Sequence, residues 1–124
     1  PYMRAAEMYL IEAEAKARLW QGDTAAEALF SFVSNRGPEY VKSANTGESL
    51  INEILLHRRV ELWGEGFRFL DLKRTNSALD RTGANHSTKL TANRMTVDAG
   101  SKEWQWLFPQ REINANAEIV QNPL

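Results

Sequence analysis

Cysteine is absent from the sequence, which excludes disulfides, thiolate metal sites and thiol catalysis. Long hydrophobic runs are also absent. The longest stretch free of Asp, Glu, Lys and Arg is Ala28 to Asn35, eight residues, against about 20 needed to span a bilayer. Neither sign of charge dominates: 15 basic and 16 acidic residues leave a formal net charge of -1. Such a balance offers no field that would draw nucleic acid or an anionic membrane, so no nucleic-acid partner is expected. Histidine occurs only as His57 and His86. There is no HExxH, acidic calcium loop, Gly-rich phosphate loop or GxSxG. No catalytic motif of any specificity is therefore present, and no residue is singled out as catalytic or as a metal ligand. The chain opens at Pro1 without an initiator Met or a signal peptide, and is read as a processed product or a piece of something longer.

What is present is an ordinary globular composition. The 124 residues are 43% hydrophobic and 25% charged, enough for one domain over 1–124 with a modest core. Tyr2, Ala6, Tyr9, Leu10, Ala13, Ala17 and Trp20 recur at three- and four-residue spacing, which predicts a first helix with one buried stripe. Gly22-Asp23 marks a turn. Thr24 with Glu27 three residues on reads as a capping box opening a second helix that ends before Gly37-Pro38. Residues 2–37 therefore predict an antiparallel helix hairpin.

A third helix is expected from about Glu48 to Gly64, with Ile51, Ile54, Leu55 and Leu62 on its apolar side, and a short fourth over Phe67 to Arg74. Residues 75–103 lose periodicity, are rich in Ser, Thr, Asn and Gly, and carry no convincing strand. A loop of this length is usually functional or mobile. The variable stretch as a whole covers 75–107. Trp104 to Phe108 reads as a short extended run, Gln110 to Ala115 as a single turn, and 108–124 as an irregular tail. The fold class is all-α.

The third helix carries charge where its stripe should be apolar. Arg58, Glu61 and Glu65 continue the line of Ile51, Ile54 and Leu55, and Arg68, Asp71 and Arg74 follow at three-residue intervals. Charges on a core-facing stripe must be paired, and arginine suits that task because its planar fork grips a carboxylate through two bonds. Glu61 and Asp71 could be an acid-base pair. The favoured reading is a structural ion network of Arg58, Arg59, Glu61, Glu65, Arg68 and Asp71. In it Glu61 and Asp71 lie buried near arginines, with Arg58, Arg59 and Arg68 the best candidates.

Residues 57–74, His-Arg-Arg-Val-Glu-Leu-Trp-Gly-Glu-Gly-Phe-Arg-Phe-Leu-Asp-Leu-Lys-Arg, strongly resemble the C-terminal signature of the SusD/RagB family, roughly ERRxELxxEGxRxxDLxR. The ending is similar too. Phe108-Pro109-Gln110-Arg111-Glu112-Ile113, Asn114-Ala115-Asn116 and Gln121-Asn122-Pro123 resemble PIPxxEIxxNPxxxQNPGY. Residues 7–15, Gly22-Asp23 and Ala28-Leu29 look like the family's last tetratricopeptide-like helix pair, so 2–37 is expected to be that pair and 48–74 the signature helices. His57 stands where the family has Glu, Ala117 where it has Pro, and Leu107-Phe108-Pro109 where it has Pro-Ile-Pro.

The resemblance implies a glycan-binding lipoprotein of the Bacteroidetes outer membrane that is not an enzyme, with no catalytic residue, no cofactor and no metal. Such a protein is surface-exposed, binds oligo- or polysaccharide, and acts with a TonB-dependent, SusC-like transporter in carbohydrate uptake. Membrane attachment would run only through a lipid anchor that these 124 residues do not include. Every matched signature is structural, so no binding residue is carried over. Two other classes compete: an intracellular tetratricopeptide module that binds peptides, although only one helix pair is visible, and an all-helical glycoside hydrolase fragment with paired carboxylates. If this stretch touches sugar, the candidates are Trp104 and Trp106. Two residues apart in an extended segment, their indoles would share one side as a flat platform. The competing reading buries both rings as anchors for the loop.

Overall fold

A computed structural model describes residues 4–122. Tyr2 and Pro123, which figure in the expectations above, lie outside the described residues. The chain divides into two compact units, Pro1–Phe67 and Arg68–Leu124. The all-α class holds, apart from one two-residue ladder.

The first unit is a three-helix assembly. Helix α1 spans Ala5–Arg18, α2 Gly22–Val33 and α3 Gly47–Glu61. On α1 the buried stripe is Ala6, Leu10, Ala13 and Ala17. The small alanines let the neighbouring helices approach closely, and α1 packs on both α2 and α3. Helix α2 contributes Ala25, Ala26, Leu29, Phe32 and Val33, and α3 adds Leu50, Ile51 and Ile54, which together close the core. Leu10, Leu29, Leu50 and Ile54 are its largest fully buried side chains. Two members of the expected α1 stripe are not in it: Tyr9 is half exposed and Trp20 is 88% exposed.

Trp20 is exposed because α1 has already ended. Gln21 N–H donates to Lys16 O at 2.9 Å and Trp20 N–H to Ala17 O at 3.2 Å, the paired bonds of a Schellman motif with Trp20 at its left-handed position. Trp20 has φ 62°. Glycine is favoured there, because a Cβ in left-handed backbone costs about 1–2 kcal/mol. The capping box expected at Thr24 is replaced by an earlier start. Helix α2 begins at Gly22 after Gln21, and the Thr24 hydroxyl, already inside the first turn, donates to Gln21 O at 3.0 Å.

The connector between α2 and α3 is held by one carboxylate. Glu53 accepts hydrogen bonds from Tyr40 Oη at 2.7 Å, from Asn45 Nδ2 at 2.8 Å and from the Ser43 hydroxyl. His57 meets the Tyr40 ring edge-on at 5.2 Å. After α3, Gly64 and Gly66 turn the chain with φ 78° and 85°, values that side chains rarely adopt.

Helix α4 spans Phe67–Arg74, its first residue being the last of the first unit, and α5 in the second unit spans Gln110–Ala115. Between them the strandless reading of 75–103 is corrected. Strands β1 (Leu79–Asp80) and β2 (Thr96–Val97) pair antiparallel, Leu79 against Val97. Two-residue strands are too short to show alternation in sequence. A 3₁₀ turn follows at Lys102–Trp104.

Candidate functional site

The charged face of α3 is assembled from residues far apart in sequence. Glu61 accepts Arg4 Nη2 at 2.7 Å and Arg36 Nη2 at 2.9 Å, and Arg4 also pairs with Glu65. Arg4 is the N-cap of α1 and Arg36 lies just beyond α2. Neither is singled out by the spacing on α3. Arg58 is buried, as its place on the stripe requires. Its Nη2 donates to Glu7 Oε1 at 3.1 Å, and its guanidinium lies 5.3 Å from the centre of the Phe67 ring. Arg59 is exposed. In the second unit Asp71 is buried and accepts Arg74 Nε at 2.8 Å. Glu61, with arginines on two sides, makes a lock of salt bridges.

The aromatic pair is divided by the backbone. Because 102–104 coil into a 3₁₀ turn, Trp104 points inward: it is 7% exposed, donates Nε1–H to Asp98 O at 2.7 Å, and packs on Phe69 at 5.6 Å between ring centres. The chain becomes extended only at Gln105, with φ -109° and ψ 135°. Trp106 is 81% exposed. Both readings of the pair are corrected: the two-indole platform fails at Trp104, which is buried, and the burial of both rings fails at Trp106, which faces solvent. Beside Trp104 lies a concavity of about 200 Å³ lined by Leu72, Lys73, Asn76, Ser101 and Gln105 among others.

The segment bearing Trp106 is fastened by the tail. Gln121 bonds the Phe108 backbone twice, accepting from N–H at 2.9 Å and donating to C=O at 3.0 Å. Asn122 Nδ2 donates to Trp106 O at 2.5 Å. The fastening runs from amide to backbone; of the tail's aliphatic residues Ile113 and Ile119 are half-buried and Val120 is 85% exposed. At the edge of the loop Arg94 pairs with Glu103. Hydrogen bonds from Arg94 and Ser101 hold the Glu103 carboxyl below its ordinary value.

Among the described residues no three His, Asp or Glu side chains group as metal ligands, and no helix is long and apolar enough to cross a membrane.

A tetratricopeptide-like hairpin, an ion-locked third helix and a loop-borne exposed indole mark an all-α chain with a long polar loop. The chain belongs to the SusD family, whose model matches residues 1–124. It is similar to SusD-like protein P38 of Formosa agariphila, with 36% identity over 88 residues that cover 64% of this chain and 18% of that protein. It also resembles the crystal structure of a Bacteroides vulgatus protein proposed to bind sugar, with a TM-score of 0.83 and 28% identity. That match covers 99% of this chain and 28% of the other. The chain thus spans less than a third of either relative's length.

Proposed function

We propose that the protein is a non-catalytic glycan-binding lipoprotein of the outer-membrane surface that passes oligosaccharide to a TonB-dependent transporter. The family match over residues 1–124 carries this reading, and the sugar-binding role proposed for the Bacteroides vulgatus relative supports it. The chemistry agrees. Sugar capture needs exposed aromatic faces and polar groups for hydroxyls, with no poised acid or base. Glu61 bridged by Arg4 and Arg36 is a carboxylate held for structure.

Trp106 is the contact this stretch offers beside its loop, a single indole face that stacks on a sugar ring. Trp104 positions the segment from behind. The test is a glycan-panel binding assay on the full-length protein with the 124-residue stretch run beside it. Binding to at least one oligosaccharide, together with co-purification of a TonB-dependent transporter, is the expected result. A full-length protein that binds no glycan on the panel would overturn it.

A further inference from the structure

Trp20 is a residue that stability does not explain. It sits at the left-handed position of the α1 Schellman motif, where glycine is favoured, with φ 62°. The residue is 88% exposed. The largest side chain is thus placed where the backbone disfavours any side chain and where burial returns little. Strain kept at an exposed aromatic points to a ligand.

The surroundings suit one. Trp20 lines a concavity of about 420 Å³ with Ala17, Gly22, Asp23, Thr46, Gly47 and Leu50. A Cβ added at Gly22 or Gly47 would meet nothing within 4 Å, so that side of the hollow is open. Thr46 is the N-cap of α3, yet its hydroxyl makes no cap hydrogen bond. Asp23 is exposed, and the nearby Lys42 ammonium is engaged by Glu27 at 2.7 Å. A hydroxyl and a carboxylate therefore stand beside an open indole face.

We propose that Trp20, Asp23 and Thr46 form a second saccharide subsite, at the α1–α2 turn and separate from Trp106, that takes one ring of a neutral hexose oligomer. The apolar face of the pyranose stacks on the indole. Asp23 accepts hydrogen bonds from adjacent hydroxyls, and the Thr46 hydroxyl serves as donor or acceptor. The carboxylate disfavours an anionic sugar at this position. The inference rests on the glycan-binding reading above.

The test uses the full-length protein with cello-, manno-, xylo- and maltohexaose as probes, and compares wild type with Trp20→Gly, Asp23→Asn and Trp106→Ala. Trp20→Gly installs the residue the motif favours, so its melting temperature should equal or exceed that of wild type. Its affinity for the best-bound neutral hexaose should fall about tenfold, the scale of one lost aromatic stacking face. Asp23→Asn should weaken the same hexaose with the fold intact. Wild-type binding that neither variant weakens would overturn the subsite while leaving the glycan-binding reading in place. Failure of wild type to bind any of the four hexaoses would overturn the subsite. A wider panel that is also negative would remove the glycan reading with it. A Trp20→Gly protein that melts lower than wild type would show that the indole serves packing, and would overturn the proposal as well.

Discussion

Arg58 of α3 and Glu7 of α1 lie 51 positions apart in sequence and form an ion pair of 3.1 Å whose side chains are 6% and 12% exposed. Breaking such a buried pair from one side is costly, because the partner loses its compensation in a poorly solvated place. Arg58→Met should lower stability by about 3–5 kcal/mol, read as an earlier urea midpoint. It also removes the guanidinium from the Phe67 ring. Arg58→Lys should recover only part of the loss, since an ammonium lacks the planar fork.

The two tryptophans should separate cleanly. Trp104→Ala empties a buried, hydrogen-bonded site and should cost about 3–5 kcal/mol. Trp106→Ala removes an exposed ring and should change stability by no more than about 0.5 kcal/mol, while weakening glycan binding. Thermal melts of both variants beside a binding isotherm check this. Equal destabilisation by the two would contradict the assignment of one ring to packing and the other to solvent.

Glu53 makes stability depend on acid. Burial raises its carboxyl, but bonds from Ser43, Tyr40 and Asn45 and the charge of His57 outweigh that and hold it below its ordinary value. Tyr40 is pushed up, by burial first and then by its bond to Glu53. A depressed carboxylate contributes stability that is complete above the unfolded-state pKa, about 4.3 for Glu, and is lost as pH falls through the folded value. Denaturant midpoints measured from pH 6 to pH 2 should therefore fall less steeply for Glu53→Gln than for wild type. Parallel curves would show that the connector does not depend on this charge.

Gln121 should be worth more to local order than to global stability. Gln121→Ala deletes two side-chain bonds to the Phe108 backbone, each worth about 0.5–1.5 kcal/mol at most. The expected result is faster hydrogen exchange at the Phe108 amide with little change in the α1–α3 core. Unchanged exchange at Phe108 would contradict it.

The first three helices were legible because their stripes repeat every three or four residues, and α4 lies where a short fourth helix was expected, whereas Gln110–Ala115, read as a single turn in an irregular tail, is helix α5. Trp20 and Tyr9 followed the same period and yet are not buried. Periodicity marks a face, but it does not say where the helix stops or which part of the face has a neighbour. The arginines on Glu61 were not legible from α3, since Arg4 and Arg36 are 57 and 25 positions away and follow no local rule. The Trp104–Trp106 alternation failed for a local reason: one 3₁₀ turn ends between them, and the two-residue rule holds only in extended backbone.

The amide bonds from the tail reach beyond local order. Trp-Gln-Trp-Leu-Phe, residues 104–108, has the aromatic, uncharged make-up of a segment prone to cross-β stacking. The Trp106 carbonyl and both Phe108 backbone groups lie outside any helix or strand ladder. Gln121 and Asn122 occupy them with side chains, which cannot propagate a ladder as a strand would. Fewer backbone groups beside Trp106 are thereby left open to an added strand.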